Sequence, residues 1–129
     1  MFNYNIGANQ RKGSRNRAGN AGDGRRFPVT GGGRATVTIG LLEVHISIPE
    51  AHSLKDKRQV IRSLKDRILN KMNVSVAETG RQDAWQFAEL AFVTVAGQRD
   101  VVDKRLAGVS TTLQSNPRIV ILDLRTEIL

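Results

Sequence analysis

The stretch "VTIGLLEVHISIPEAHSLKDKRQVIRSLKDRILNK", Val37–Lys71, changes its hydrophobic period partway along. Up to Ile48 the apolar residues alternate. Leu42, Val44, Ile46 and Ile48 fall on one side, with Leu41, Glu43, His45 and Ser47 on the other, which is the two-residue repeat of a strand. A proline turn follows. Beyond it Leu54, Ile61, Leu64, Ile68 and Met72 form one stripe at helical spacing. Ser53 stands where an N-cap belongs and Asp56 sits three residues on, in the capping-box position, so a helix is expected from Ser53 to about Lys71.

The same grammar recurs downstream. "NVSVAET" (Asn73–Thr79) reads as a short strand, and "WQFAELAFVTVAG" (Trp85–Gly97) as a longer one with Ala88, Leu90 and Phe92 on one face. Asp100 to Ser115 reads as a second helix, with Val102, Leu106, Val109 and Leu113 in register and "SNP" ending it. "RIVILDLRTEIL" (Arg118–Leu129) closes the chain as a strand, with Val120, Leu122 and Leu124 expected on one side. The order βαββαβ predicts a ferredoxin-like α+β fold: a four-stranded antiparallel sheet with two helices on one face. Right-handed crossovers place strands one and three in the centre. The other face is expected to show Leu41, Glu43, His45, Phe87, Glu89, Ala91, Val93, Ile121, Asp123 and Arg125, a mixed surface able to meet a partner or a second copy.

At 129 residues the chain has one domain's length. Residues 1–36 differ in kind from the rest. Eight of the twelve glycines precede Ala35, and residues 1–34 carry seven Lys/Arg against one acid, Asp23. Such a segment has few apolar side chains to bury and is expected to be a disordered basic tail. Most of the net charge of +8 sits there, so the high pI is not by itself evidence that the folded part, residues 37–129, binds nucleic acid. The chain has no cysteine, hence no disulfide or thiolate chemistry. No apolar run approaches the ~20 residues that cross a bilayer, and the reading is a cytoplasmic protein without membrane contact.

Three runs, "HSLKDKR" (His52–Arg58), "NVSVAE" (Asn73–Glu78) and "QDAWQ" (Gln82–Gln86), together resemble the YlxP-like family of small bacterial proteins of unknown function. The resemblance covers nearly all of residues 37–129 and implies the same ferredoxin-like fold. Genes of that family commonly lie between those for translation initiation factor two and ribosome-binding factor A, which implies a place in translation or ribosome assembly by association only. Relatives often carry Arg after the Trp-Gln pair, where this chain has Phe87. They usually begin with Met just before an Ile-Gly pair, where this chain has Val37-Thr38 before Ile39-Gly40. Valine codons include a bacterial start, and Gly32-Gly33 codons can spell a ribosome-binding sequence. Translation from Val37 is therefore a hypothesis, and a native peptide spanning Phe2–Arg11 in N-terminal mass spectrometry contradicts it.

Cations crowd the start of the first helix, the end that the helix dipole makes unfavourable for them. Lys55, Arg58, Arg62 and Lys65 recur at spacings of three and four, with Lys57 at the turn. The pattern suits an anion, and ribosomal RNA or a ribosomal particle is the expected polyanionic partner. The alternative for these residues is a solvated helix face with lysine stems lying along the core. Leu41, Phe87 and Val93 are the candidates for contact with a protein partner or for a homo-oligomer through the open sheet. Stacking of bases on that sheet is disfavoured, because strand one lacks an aromatic there and Glu43 and Glu89 repel phosphate. Trp85 is expected to lid the core. Glu43, His45 and His52 lack the further ligands a metal site needs, and no catalytic constellation, P-loop or dinucleotide fingerprint is present, so the reading is a binding protein with no cofactor and no enzymatic activity.

Overall fold

A computed structural model describes residues 36–129. The tail and the proposed start-site ambiguity lie, apart from Thr36, outside the described residues. The elements are β1 (Thr38–Ser47), α1 (Leu54–Lys71), β2 (Ser75–Gly80), β3 (Phe87–Ala96), α2 (Arg99–Gln114) and β4 (Val120–Ile128). The four strands form one antiparallel sheet in the order β2-β3-β1-β4, so β1 and β3 are central and the fold is the ferredoxin-like α+β arrangement.

Each element is where its side chains direct it. Leu42, Val44 and Ile46 of β1 and Ala88, Leu90 and Phe92 of β3 are buried on the helix-covered face, in a register that runs from Thr38 opposite Ala96 to Ser47 opposite Phe87. Ser53 caps α1: its Oγ accepts from the Asp56 N–H at 3.0 Å, while the Asp56 carboxylate accepts from the His52 N–H at 2.9 Å. Two orphan N–H groups are thus satisfied, although the return bond goes to the residue before the cap. Val60, Ile61, Leu64 and Ile68 then face the core, each burial stabilising by about 1.5–3 kcal/mol. Helix α2 buries Val102, Leu106, Val109 and Leu113 and crosses β1 at Gly40. A Cβ at Gly40 would collide with Val102 and stand 2.9 Å from Leu106 Cδ1, so glycine is required there by close approach.

The last strand departs from the expected alternation. Its pairing with β1 slips between His45 and Ile46: Asp123 lies opposite His45 but Ile121 lies opposite Ile46. Leu122 is the extra residue of a β-bulge, which reverses the inward parity. Ile121 therefore packs with Leu124 and Ile128 against the core, while Val120 and Leu122 are exposed. This corrects both the expected inward set and the placing of Ile121 on the open face.

Candidate functional sites: a cationic helix face and an open sheet

The five cations expected to form one anion-binding surface divide into two groups. Lys55, Arg58 and Arg62 are exposed along α1. Lys57, expected at the turn, and Lys65, expected on the ridge, are instead buried, which corrects their expected exposure to an anion. Lys57 is in phase with Ile61, Leu64 and Ile68, and its ammonium points inward. Its Nζ donates to the carbonyls of Arg81 (2.8 Å) and Ala84 (2.9 Å) and lies 3.0 Å from Glu78 Oε2. All three ammonium protons are thereby used. Lys65 lies along the same flank. Burial pushes its pKa below the usual lysine value, and the charges of Glu78 and Asp66 oppose that shift.

The solvent face of α1 nevertheless carries more positive charge than the ridge alone. Arg67 and Lys71 are also exposed, on the other flank of the helix toward its C-terminal end. None of Lys55, Arg58, Arg62, Arg67 and Lys71 has a hydrogen bond or ion pair among the described residues. The only fully exposed acid of the helix is Asp66. The i, i+4 spacing of Arg67 and Lys71 was the signal available for them in the sequence.

The open sheet face also separates residues that were grouped together. Leu41 and Val93 are directly opposite one another, and Ile39 faces Val95 in the next outward pair. Val93 and Val95 are 40% and 55% exposed, so these four residues make one apolar band. Phe87 belongs elsewhere: six residues along β3 from Val93, it lies roughly 20 Å away at ~3.4 Å per residue. Polar pairs occupy the space between. Arg125 Nη2 donates to Glu43 Oε1 at 2.6 Å, and His45 Nε2 stands 3.9 Å from Glu89 Oε2. Period-two alternation would have found Ile39 and Val95, since both follow the parity of Leu41 and Val93.

At the far end of β3, Trp85 is 53% exposed, which corrects the expectation of a core lid. Arg81 holds a positive φ of 56°, and its guanidinium lies 4.8 Å from the centroid of the Phe87 ring. Among the described residues no three His, Cys, Asp or Glu side chains are grouped closely enough to hold a metal ion, and no helix is long and apolar enough to cross a membrane.

Fold and surface define a small ferredoxin-like α+β protein in which, among the described residues, a cationic helix face lies unpaired on one side and the sheet lies uncovered on the other. Residues 39–126 match the family described as "Protein of unknown function (DUF503)", and the chain belongs to that family. It is 38% identical over 89 residues to the Bacillus subtilis (strain 168) protein named "Uncharacterized protein YlxP", an alignment covering 69% of this chain and 97% of the relative.

Proposed function

We propose that this is a non-enzymatic cytoplasmic accessory factor of translation or ribosome assembly that binds RNA phosphates through the exposed face of α1. The observation that carries the proposal is the set of five exposed cations on one helix that have no partner among the described residues. Of the two acids of α1, Asp56 is engaged at the N-cap and Asp66 is exposed. A phosphodiester backbone meets the row Lys55, Arg58 and Arg62 at several points, releases counterions on contact and binds in a strongly salt-dependent way. No base-reading chemistry is needed, because phosphate contacts position rather than specify. Sedimentation of a cell lysate through a sucrose gradient tests the biological assignment. The protein should travel with ribosomal subunits or their precursors at low salt and leave them at high salt. A protein that stays at the top of the gradient at low salt contradicts the proposal.

A second reading has its own observation. Among the described residues, the band Ile39, Leu41, Val93 and Val95 leaves apolar surface open to water on a sheet face that no helix covers. Such a band fits a protein partner or a second copy of the chain, and this use is compatible with phosphate binding on the opposite face of the domain.

A further inference from the structure

Trp85 is the only tryptophan of the chain, and more than half of it faces solvent. Tryptophan has a large apolar area, and burial is its usual fate. A frayed loop would explain the exposure, but this loop is fixed on both sides of Trp85. Before it, the turn Arg81–Ala84 is closed by the Ala84 N–H donating to the Arg81 carbonyl at 3.1 Å. The buried Lys57 ammonium ties both ends of that turn to α1. After it, Gln86 Nε2 donates to the carbonyls of Pro49 (3.1 Å) and Ala51 (3.0 Å), and the Gln86 carbonyl accepts from the Ile48 N–H at 2.8 Å. The backbone that carries the indole is therefore fixed on both sides, which lowers the ordering cost of binding to it.

Its surroundings show what such a ring suits. Arg81 adopts the left-handed backbone region, rare for a residue with a side chain, and its guanidinium packs on Phe87. That leaves a planar cation next to the indole loop. The loop is tied to the first turns of α1 through Lys57, and Lys55 and Arg58 project from those same turns into solvent. Asp83 is the one exposed acid within the loop. An exposed aromatic ring and a stacked guanidinium on one loop, with exposed cations on the helix turns to which that loop is tied, are the parts of a single-strand nucleic-acid platform: base on ring, phosphate on cation. A protein partner would also accept an exposed tryptophan, but the cations favour the polyanion.

We infer that Trp85 is a stacking platform for an unpaired RNA base, with Arg81 beside it and Arg58, on the adjoining turn of α1, meeting a flanking phosphate. This rests on the proposed RNA-binding reading and narrows it from RNA in general to unpaired segments.

The full chain is titrated at low salt with a fluorescein-labelled twelve-nucleotide oligouridine and with a twelve-base-pair RNA duplex. Label anisotropy reports binding, and the emission of Trp85, the sole indole, reports stacking. The single strand should quench Trp85 strongly, and the duplex should bind without quenching. Trp85→Ala should weaken the single strand about tenfold, the order of one lost base stack, and the duplex little. Trp85→Phe, which keeps a ring and guards against misfolding of the alanine variant, should retain most of the affinity. If both RNAs bind but indole emission does not move and Trp85→Ala binds like wild type, the platform is refuted while the cationic-helix reading stands. If neither RNA changes the anisotropy, the broader reading fails and the platform with it. If Trp85→Ala keeps its RNA affinity but loses an oligomer seen by sedimentation velocity, Trp85 serves a protein interface and the inference is overturned.

Discussion

The Lys57 ammonium lies 3.0 Å from the Glu78 carboxylate, with the Lys57 side chain 2% exposed and that of Glu78 21% exposed. Because the same ammonium also holds two carbonyls of the β2–β3 connection, one side chain joins α1, β2 and the loop that presents Trp85. A cation that resembled a ligand-binding residue is therefore a structural pin.

Removing the pin should be costly. Lys57→Met leaves a partly buried carboxylate and two carbonyls without their donor, and should destabilise the domain by about 3–5 kcal/mol. The double change Lys57→Met with Glu78→Leu removes the stranded charge as well and should recover part of the loss. Urea unfolding at neutral pH measures both. A single variant as stable as wild type would mean that the ammonium is not the joint described.

Gly40 should be intolerant of any side chain. Gly40→Ala places a methyl group against Val102 and Leu106, and overpacking of this kind costs about 1–3 kcal/mol. Val102→Ala in the same chain makes room for it. The double variant should therefore be less destabilised than the two single effects added together, as read by thermal or urea unfolding.

Most of this fold was legible in the sequence, and the exceptions have physical causes. The change of period at Pro49, the Ser53 cap and the two apolar helix stripes are local signals, and local signals survive folding. The inward set of β4 was not legible, because "VILDL" is apolar in both parities and the slip that chooses between them depends on pairing with His45 and Ile46 of a distant strand. Lys57 could have been suspected from its phase with Ile61, Leu64 and Ile68. Its partners, however, are 21 to 27 residues away, and two of them are carbonyls that no residue type announces. Trp85 was misplaced for the opposite reason: its chemistry argues for burial, whereas in a loop whose backbone is fixed on both sides it is left exposed.

Lys65 gives a pH signature. Its folded-state pKa is lowered below 10.5 by burial. Below that lowered value both folded and unfolded chains hold the proton, and the cost of burying the charge is constant. Between it and 10.5 the unfolded chain binds more protons, so the contribution of this group to stability rises with pH. Wild type should gain stability relative to Lys65→Met as pH climbs from neutral toward 10.5. Urea midpoints of the two proteins measured side by side check this, and a gap that moves the other way contradicts it.

The open sheet yields a positional prediction. Val93→Asp puts a charge inside the band formed with Ile39, Leu41 and Val95, and should abolish any self-association or partner capture through that face. Phe87→Asp, about 20 Å away along the strand, should leave that association intact. Sedimentation velocity of the three proteins distinguishes the positions. Equal loss in both variants would show that the band is not the contact surface.

The central claim is that the unpaired cations of α1 meet phosphates, and the salt dependence of RNA binding tests it most directly. Affinity for a fragment of ribosomal RNA is measured across a range of salt for wild type and for the triple variant Lys55→Ala, Arg58→Ala, Arg62→Ala. All three positions are exposed, so the variant should keep its fold and unfold within about 1 kcal/mol of wild type. Binding should weaken substantially at low salt, and the slope of log affinity against log salt should become shallower by about 2, the sum expected for three lost phosphate contacts. An unchanged slope and affinity would place any RNA binding elsewhere and leave this helix face without the role assigned to it.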